Sequence, residues 1–158
     1  MIESLDPAGV AYIAAVLPLL GGILGSILGM KHAASTGAAV LSEDPTQFRN
    51  VLLLASLPIT QTFYGLIQMI YILSIYLPGI IESITIAKAL GILGIGLIGF
   101  FAEWLSAWAQ GIICATGEAD LPRTKGRNLM STIILAVYVE LLGILGIVFT
   151  ILGLSILG

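Results

Sequence analysis

Charged residues occur in widely separated groups along the chain, and the intervals between the groups are almost wholly apolar. Between Asp6 and Lys31 lie 24 uncharged positions, and between Arg49 and Glu82 lie 32. A helix rising ~1.5 Å per residue needs ~20 apolar residues to cross a ~30 Å hydrocarbon core, so each interval predicts a membrane-spanning helix. Two further apolar intervals, Lys88 to Glu118 and Arg127 to Gly158, are each broken by a single carboxylate, Glu103 in one and Glu140 in the other. The pattern predicts four helices, placed at 9–38, 49–78, 86–117 and 127–156.

The connecting segments Leu41–Phe48 (LSEDPTQF) and Glu118–Gly126 (EADLPRTKG) carry proline and acidic residues, the punctuation of short helix-to-helix loops. Lys31, Arg49, Arg123, Lys125 and Arg127 gather near these two loops, whereas the connection around 77–85 has only Lys88 beside it. The bias of Lys and Arg toward the cytoplasm then predicts cytoplasmic hairpin loops and non-cytoplasmic termini. Glu3 and Asp6 stand where a secretory leader would carry basic residues, so the first apolar interval is expected to be retained as a span.

The two halves repeat one another. Thr36-Gly37 matches Thr116-Gly117, Arg49-Asn50 matches Arg127-Asn128 and Gly65 matches Gly146, with small gaps. The chain therefore divides into two tandem helical hairpins, residues 1–80 and 81–158. Counting back from the matched glycines sets Ile59 opposite Glu140, so only the second copy carries the midspan carboxylate.

Composition sharpens the picture. Of 158 residues 58% are hydrophobic and 9% are charged, against about 25% charged in soluble domains, so lipid must replace water over most of the surface. Six basic residues and a net charge of −3 exclude a phosphate-tracking, nucleic-acid-binding surface. The lone cysteine, Cys114, cannot form an internal disulfide and is expected to be a small buried apolar residue. His32, beside Lys31, is expected at the membrane interface.

Glu140 lies 13 residues beyond Arg127, near the bilayer midplane. A charge there costs about 2.5–3.5 kcal/mol on insertion scales, which marks it as a functional candidate. Leu57, Thr60, Gln61, Tyr64 and Gln68 recur at helical spacing and form a polar stripe on the second helix. Pro58 interrupts that helix and frees nearby carbonyl oxygens to turn toward a ligand. The third helix adds Gln110 and, seven residues away on the same face, Glu103. Because the third and fourth helices are antiparallel, Gln110 is expected near the depth of Glu140.

The Thr60 hydroxyl, the Gln61 and Gln110 amide oxygens, a backbone carbonyl and one carboxylate would make an oxygen-only site of single charge. Such a site is wrong for zinc and under-charged for calcium, and it suits a monovalent hard cation such as Na+. Glu103 is expected to be a buried protonated contact. Gly21, Gly25 and Gly29 on the first helix, and Gly91, Gly96 and Gly99 on the third, let backbones approach closely. They are expected to pack as an inner ring of repeated subunits rather than as one internal helix pair.

These residues resemble a known family, the duplicated rotor-ring proteolipid (the c or K subunit) of V-type and archaeal-type rotary ATPases. The resemblance rests on the duplicated hairpins, LPITQTFYG in the second helix, WAQG in the third and YVELLGILG in the fourth. It implies an all-α membrane protein that assembles into an oligomeric ring and carries Na+, or H+ as the alternative. It also implies Na+ ligands at Leu57 (carbonyl), Thr60, Gln61, Gln110 and Glu140, with the Tyr64 hydroxyl bonding the ion-carrying Glu140. The implied partners are further copies of the chain, a static membrane subunit whose arginine displaces the ion, and a central stalk at loops 41–48 and 118–126. Ile59, where sodium-type relatives often have a small residue, departs from the pattern. The chain has no phosphate-binding loop, so nucleotide chemistry would belong to a separate sector. Two other readings share Glu140: a small four-helix secondary transporter exchanging a cation, and a purely structural four-span protein.

Overall fold

Asp6 opens the first helix by accepting hydrogen bonds from the backbone N–H groups of Ala8 (3.2 Å) and Gly9 (3.0 Å), with Pro7 at the position where a missing N–H costs nothing. The structure, a computed structural model, describes residues 6–158. Glu3 lies outside the described residues. Helix α1 runs over Pro7–Glu43. The second span comprises α2 (Phe48–Ser56), a 3₁₀ turn at Leu57–Ile59, α3 (Thr60–Tyr71) and a π-helical turn at Ile72–Tyr76. After short turns, Thr85 caps α4 (Ile86–Ala119), α5 is the four-residue piece Leu121–Thr124, and α6 is Leu129–Leu157. Four segments are long and apolar enough to cross a membrane: Pro7–Glu43, Pro45–Gly79, Ile86–Ala119 and Leu129–Leu157. No strand occurs among the described residues.

The first hairpin loop is tighter than the expected 41–48. Asp44 ends α1 through its N–H to the Val40 carbonyl (2.8 Å), and its carboxylate gathers the Thr46 N–H and hydroxyl and the Gln47 amide. The Thr46 hydroxyl, then the Gln47 amide, hold this carboxyl below its ordinary pKa. One residue thus stops one helix and starts the next turn, leaving only Asp44–Gln47 between helices. In the second hairpin the chain reverses at Lys125 (φ 53°) and Gly126 (φ 78°), the left-handed end of α5. Glu118, assigned above to that loop, is instead fully buried in the last turn of α4 near Gly37, because α4 continues to Ala119.

Helices α1 and α4 are packed backbone to backbone. A Cβ on Gly21 would lie 2.8 Å from the Phe100 Cα, and one on Gly25 would lie 2.8 Å from the Trp104 Cα. Gly29 meets Ala107 and Gly111 in the same way. This corrects the expectation that the stripe serves contacts between subunits: Gly21, Gly25 and Gly29 are consumed inside one chain, by the helix that the duplication places opposite α1. The second span packs against α1, where Gly65 abuts the Pro18–Leu19 backbone, and also touches α4 and α6, while α6 lies mainly against α4.

Two apolar clusters stand at opposite ends of this bundle. One joins Ala11, Ala14, Ala15, Ile72, Leu77, Ala89, Ile92 and Leu154; the other, at the hairpin-loop end, joins Ala33, Val40, Val51, Leu54, Cys114, Leu121 and Ala136. Cys114 is buried as expected, and His32 is exposed. Gln61, Gln68, Glu103 and Gln110, all fully buried, form a polar band between the two clusters. The fold thereby sets its buried polar groups at mid-height, where a bilayer is driest.

Candidate ion-binding site

Pro58 determines where the site forms. It lacks an N–H, so the helix tightens to a 3₁₀ turn at Leu57–Ile59 before resuming at Thr60. The Leu57 carbonyl receives both the Thr60 backbone N–H and, at 3.1 Å, the Thr60 hydroxyl. The neighbouring Pro58 carbonyl is held by the Ser26 hydroxyl of α1 at 2.5 Å, and Thr62 Oγ1 donates to Ser26 Oγ at 2.8 Å. Ser26 did not figure among the residues singled out from the sequence. Its signal was there, as the only serine in the apolar interval of the first helix.

From Thr60 a hydrogen-bonded chain runs to the carboxylate. The Thr60 hydroxyl lies 3.0 Å from Gln61 Oε1, Gln61 Nε2 donates to Gln110 Oε1 at 3.1 Å, and Gln110 Nε2 donates to Glu140 Oε2 at 3.2 Å. The Tyr64 hydroxyl donates to Glu140 Oε1 at 2.8 Å. Each carboxylate oxygen of Glu140 therefore has a donor, and three spans contribute to one cluster. Gln61 and Gln110 are fully buried, while Thr60, Tyr64 and Glu140 are partly exposed. The cluster is closed toward α1 and α4 and open toward the outer face of the bundle.

All six residues singled out in the sequence, Leu57, Thr60, Gln61, Tyr64, Gln110 and Glu140, thus lie in one connected group. Among the described residues no three or more His, Cys, Asp or Glu side chains are grouped to hold a metal. An ion at Glu140 would therefore be held by one carboxylate and neutral oxygens, a donor set that matches a monovalent hard cation.

Glu103 lies in a separate polar group. Its Oε1 is 2.5 Å from Gln68 Nε2, and Gln68 Oε1 accepts from the Thr150 hydroxyl at 2.7 Å. Thr150 carried no sequence signal, because an isolated threonine in an apolar helix is ordinary. Glu118 was missed for a different reason: charge alone assigned it to a loop, yet both its carboxylate oxygens are buried without partners.

The family model for the ATP synthase C subunit matches this chain twice, at residues 13–73 and 93–153. The chain belongs to that family. It is a rotary ATPase proteolipid with tandem hairpins, an integral multi-pass membrane protein. Among curated proteins it is similar to the A-type ATP synthase subunit K of Methanocaldococcus jannaschii, 33% identical over 138 residues, which is 85% of this chain and 59% of that protein. It is also similar to the V-type sodium ATPase subunit K of Enterococcus hirae, 31% identical over 129 residues, 82% of this chain and 80% of that protein. The chain thus spans about three fifths of the archaeal relative's length and four fifths of the bacterial one's. The matched copies begin 80 residues apart, and Glu140 falls in the second copy while the kinked polar helix falls in the first.

Proposed function

We propose that this proteolipid is an ion-translocating rotor-ring subunit of a V/A-type ATPase or synthase, carrying Na+ on Glu140. One observation carries the reading: both Glu140 oxygens are held by donors, and beside them lie the neutral oxygens of Thr60, Gln61 and Gln110. A proton carrier needs only the carboxyl. The extra oxygens have a use when a cation must be stripped of water, and the name of the Enterococcus hirae relative points the same way. In this reading Leu57 O, Thr60, Gln61, Gln110 and Glu140 hold Na+, and Tyr64 fixes the carboxylate.

The partly exposed face of Glu140 gives the ion its route. With Na+ bound the group is close to neutral and can turn past lipid; with the ion gone, the bare carboxylate must sit beside a positive charge. A static membrane subunit with an arginine would supply that charge, and copies of this chain would complete the ring. The hairpins 1–80 and 81–158 would act as its two units. Their loops, at 44–47 and 120–128, would face the cytoplasm and meet the central stalk, and the termini would face the other side.

Carbodiimide modification of Glu140 in the purified ring tests the reading. Raising Na+ at fixed pH should slow the reaction; a rate indifferent to Na+ overturns the sodium assignment and leaves H+. Native mass spectrometry tests the ring itself: a dimer would favour the secondary-transporter reading instead.

A further inference from the structure

The polar band has two layers. Moving seven residues along the second span takes Gln61 to Gln68, and moving seven residues back along α4 takes Gln110 to Glu103, each a displacement of ~10 Å away from the hairpin loops. At this second level the carboxylate comes from α4, and α6 contributes Thr150. Both layers are thus a carboxylate with a glutamine from the second span, but their satisfaction differs. Glu140 has a donor on each oxygen, whereas Glu103 is fully buried and its Oε2 has no partner.

That orphan oxygen borders a small space kept open by Gly143. A Cβ on Gly143 would lie 2.8 Å from Glu103 Oε2, 3.1 Å from Ser106 Oγ and 3.2 Å from Gln61 Cγ. Ser106 donates its own proton to the Ala102 carbonyl at 2.6 Å, so its oxygen lone pairs remain free to accept. On the outer side a largely apolar groove between α4 and α6, lined by Ala102, Leu105, Ser106, Leu142, Gly146 and Phe149, offers no charged group. Tyr64 and Glu140, the ionisable groups of the neighbouring layer, are bonded to one another, and neither supplies a positive charge. The one ion pair among the described residues, Arg123 with Asp120, is at the hairpin loop.

We propose that Glu103, Gln68 and Thr150 form a second site in each subunit, which holds a proton on Glu103 and not a metal cation. Oxygen count decides between them. No hydroxyl or amide group is hydrogen-bonded to Oε2, so neutral ligands are too few there to replace the water around a metal ion, whereas a proton needs a single acceptor. Either carboxyl oxygen can bear it. On Oε2 the proton lies at the space beside Gly143. On Oε1 it is directed at Gln68, whose amide, turned by half a rotation, accepts from Glu103 and donates to Thr150 without moving the side chain. The chain then presents one ionising carboxyl in the band, Glu140, and keeps a second neutral.

Infrared absorption of the purified ring, at neutral pH and saturating Na+, tests this through the carbonyl band of un-ionised carboxyl groups. The wild-type ring should show such a band, shifted in deuterium oxide. Glu103→Gln should abolish that component, while Glu140→Gln and Glu118→Gln should leave it in place. Bound Na+ should be the same in the wild type and Glu103→Gln, at one per chain. A band unchanged by Glu103→Gln overturns the proposal. So does a wild-type count of two Na+ per chain that falls to one in Glu103→Gln, which would make the layer a cation site. Carbodiimide reaction at Glu140 checks that the Glu103→Gln ring is folded. If Glu140 itself binds no Na+, it adds its own carboxyl component, which disappears in Glu140→Gln, so failure of the sodium reading stays separate from failure at Glu103.

Discussion

The two hairpins descend from one pattern and have divided the work. The outer helix of the first, the second span, is broken by Pro58 and carries Thr60, Gln61 and Tyr64; that of the second, α6, is an unbroken 29-residue helix and carries Glu140. The first offers neutral oxygens and a phenol, the second a charge. Ile59, which the repeat sets opposite Glu140, is 41% exposed on the outer face. A carboxylate at that position in both halves would add a second charge to the same band; keeping one leaves a single ionising group surrounded by neutral dipoles. The duplication thus gained a site that neither copy can form alone.

That division can be broken most severely at Glu140. Glu140→Gln should abolish ion transport and carbodiimide labelling at this position while the ring still assembles, as checked by transport assay and native mass spectrometry. The swap Ile59→Glu with Glu140→Ile should not restore transport, because position 59 projects outward and its carboxylate would lack the Gln110 and Tyr64 donors. Recovery of Na+-dependent activity in the swap would show that the halves are interchangeable.

Next in size is the packing that brings the halves together. Gly25→Leu places side-chain atoms where the Trp104 backbone already sits and should prevent α1 and α4 from docking, with a cost of at least the ~1–3 kcal/mol of ordinary overpacking. Gly94→Ala, whose Cβ meets nothing within 4 Å inside the chain, should not lower the thermal stability of the isolated chain. Equal losses from the two would show that glycine content, and not this contact, matters.

A smaller effect is expected from the neutral ligands. Thr60→Ala removes one hydroxyl and should raise the Na+ concentration that protects Glu140 from carbodiimide by roughly two- to tenfold, following the ~0.5–1.5 kcal/mol of a typical hydrogen bond. An unchanged Na+ requirement would remove the first hairpin from the site. The smallest effect belongs to the loop: Asp44→Ala should lower the melting temperature slightly. The Asp44 carboxyl is held below its ordinary value, so its contribution is present above the ordinary carboxylate range and lost as pH falls through the lowered one. The difference between wild type and variant should therefore vanish in acid.

Several features were legible before any coordinates. Charge spacing located the spans to within a few residues, since a lipid-facing helix cannot hide an ionised side chain. Helical periodicity put Thr60, Gln61 and Tyr64 on one face, and the kink followed from the missing N–H of Pro58. The ends of helices were less legible, as Asp44 and Glu118 show. A carboxylate at a helix end reads the same whether it caps a loop or lies buried against Gly37, because the sequence records the charge and not what covers it.

The sequence by itself determined depth and chemistry: four spans, one carboxylate level with a proline kink, and oxygen-bearing neighbours on the adjoining turns. These follow from quantities that run along a helix, a fixed rise per residue and a fixed angular step. Only the tertiary structure decided who faces whom. The α1–α4 glycine contact sets the lateral order of the helices, and that order puts Gln110 between Gln61 and Glu140 and brings Thr150 to Gln68 beside Glu103. Contacts across a bundle depend on how closely backbones approach, a property of pairs of surfaces that periodicity on either helix alone does not contain.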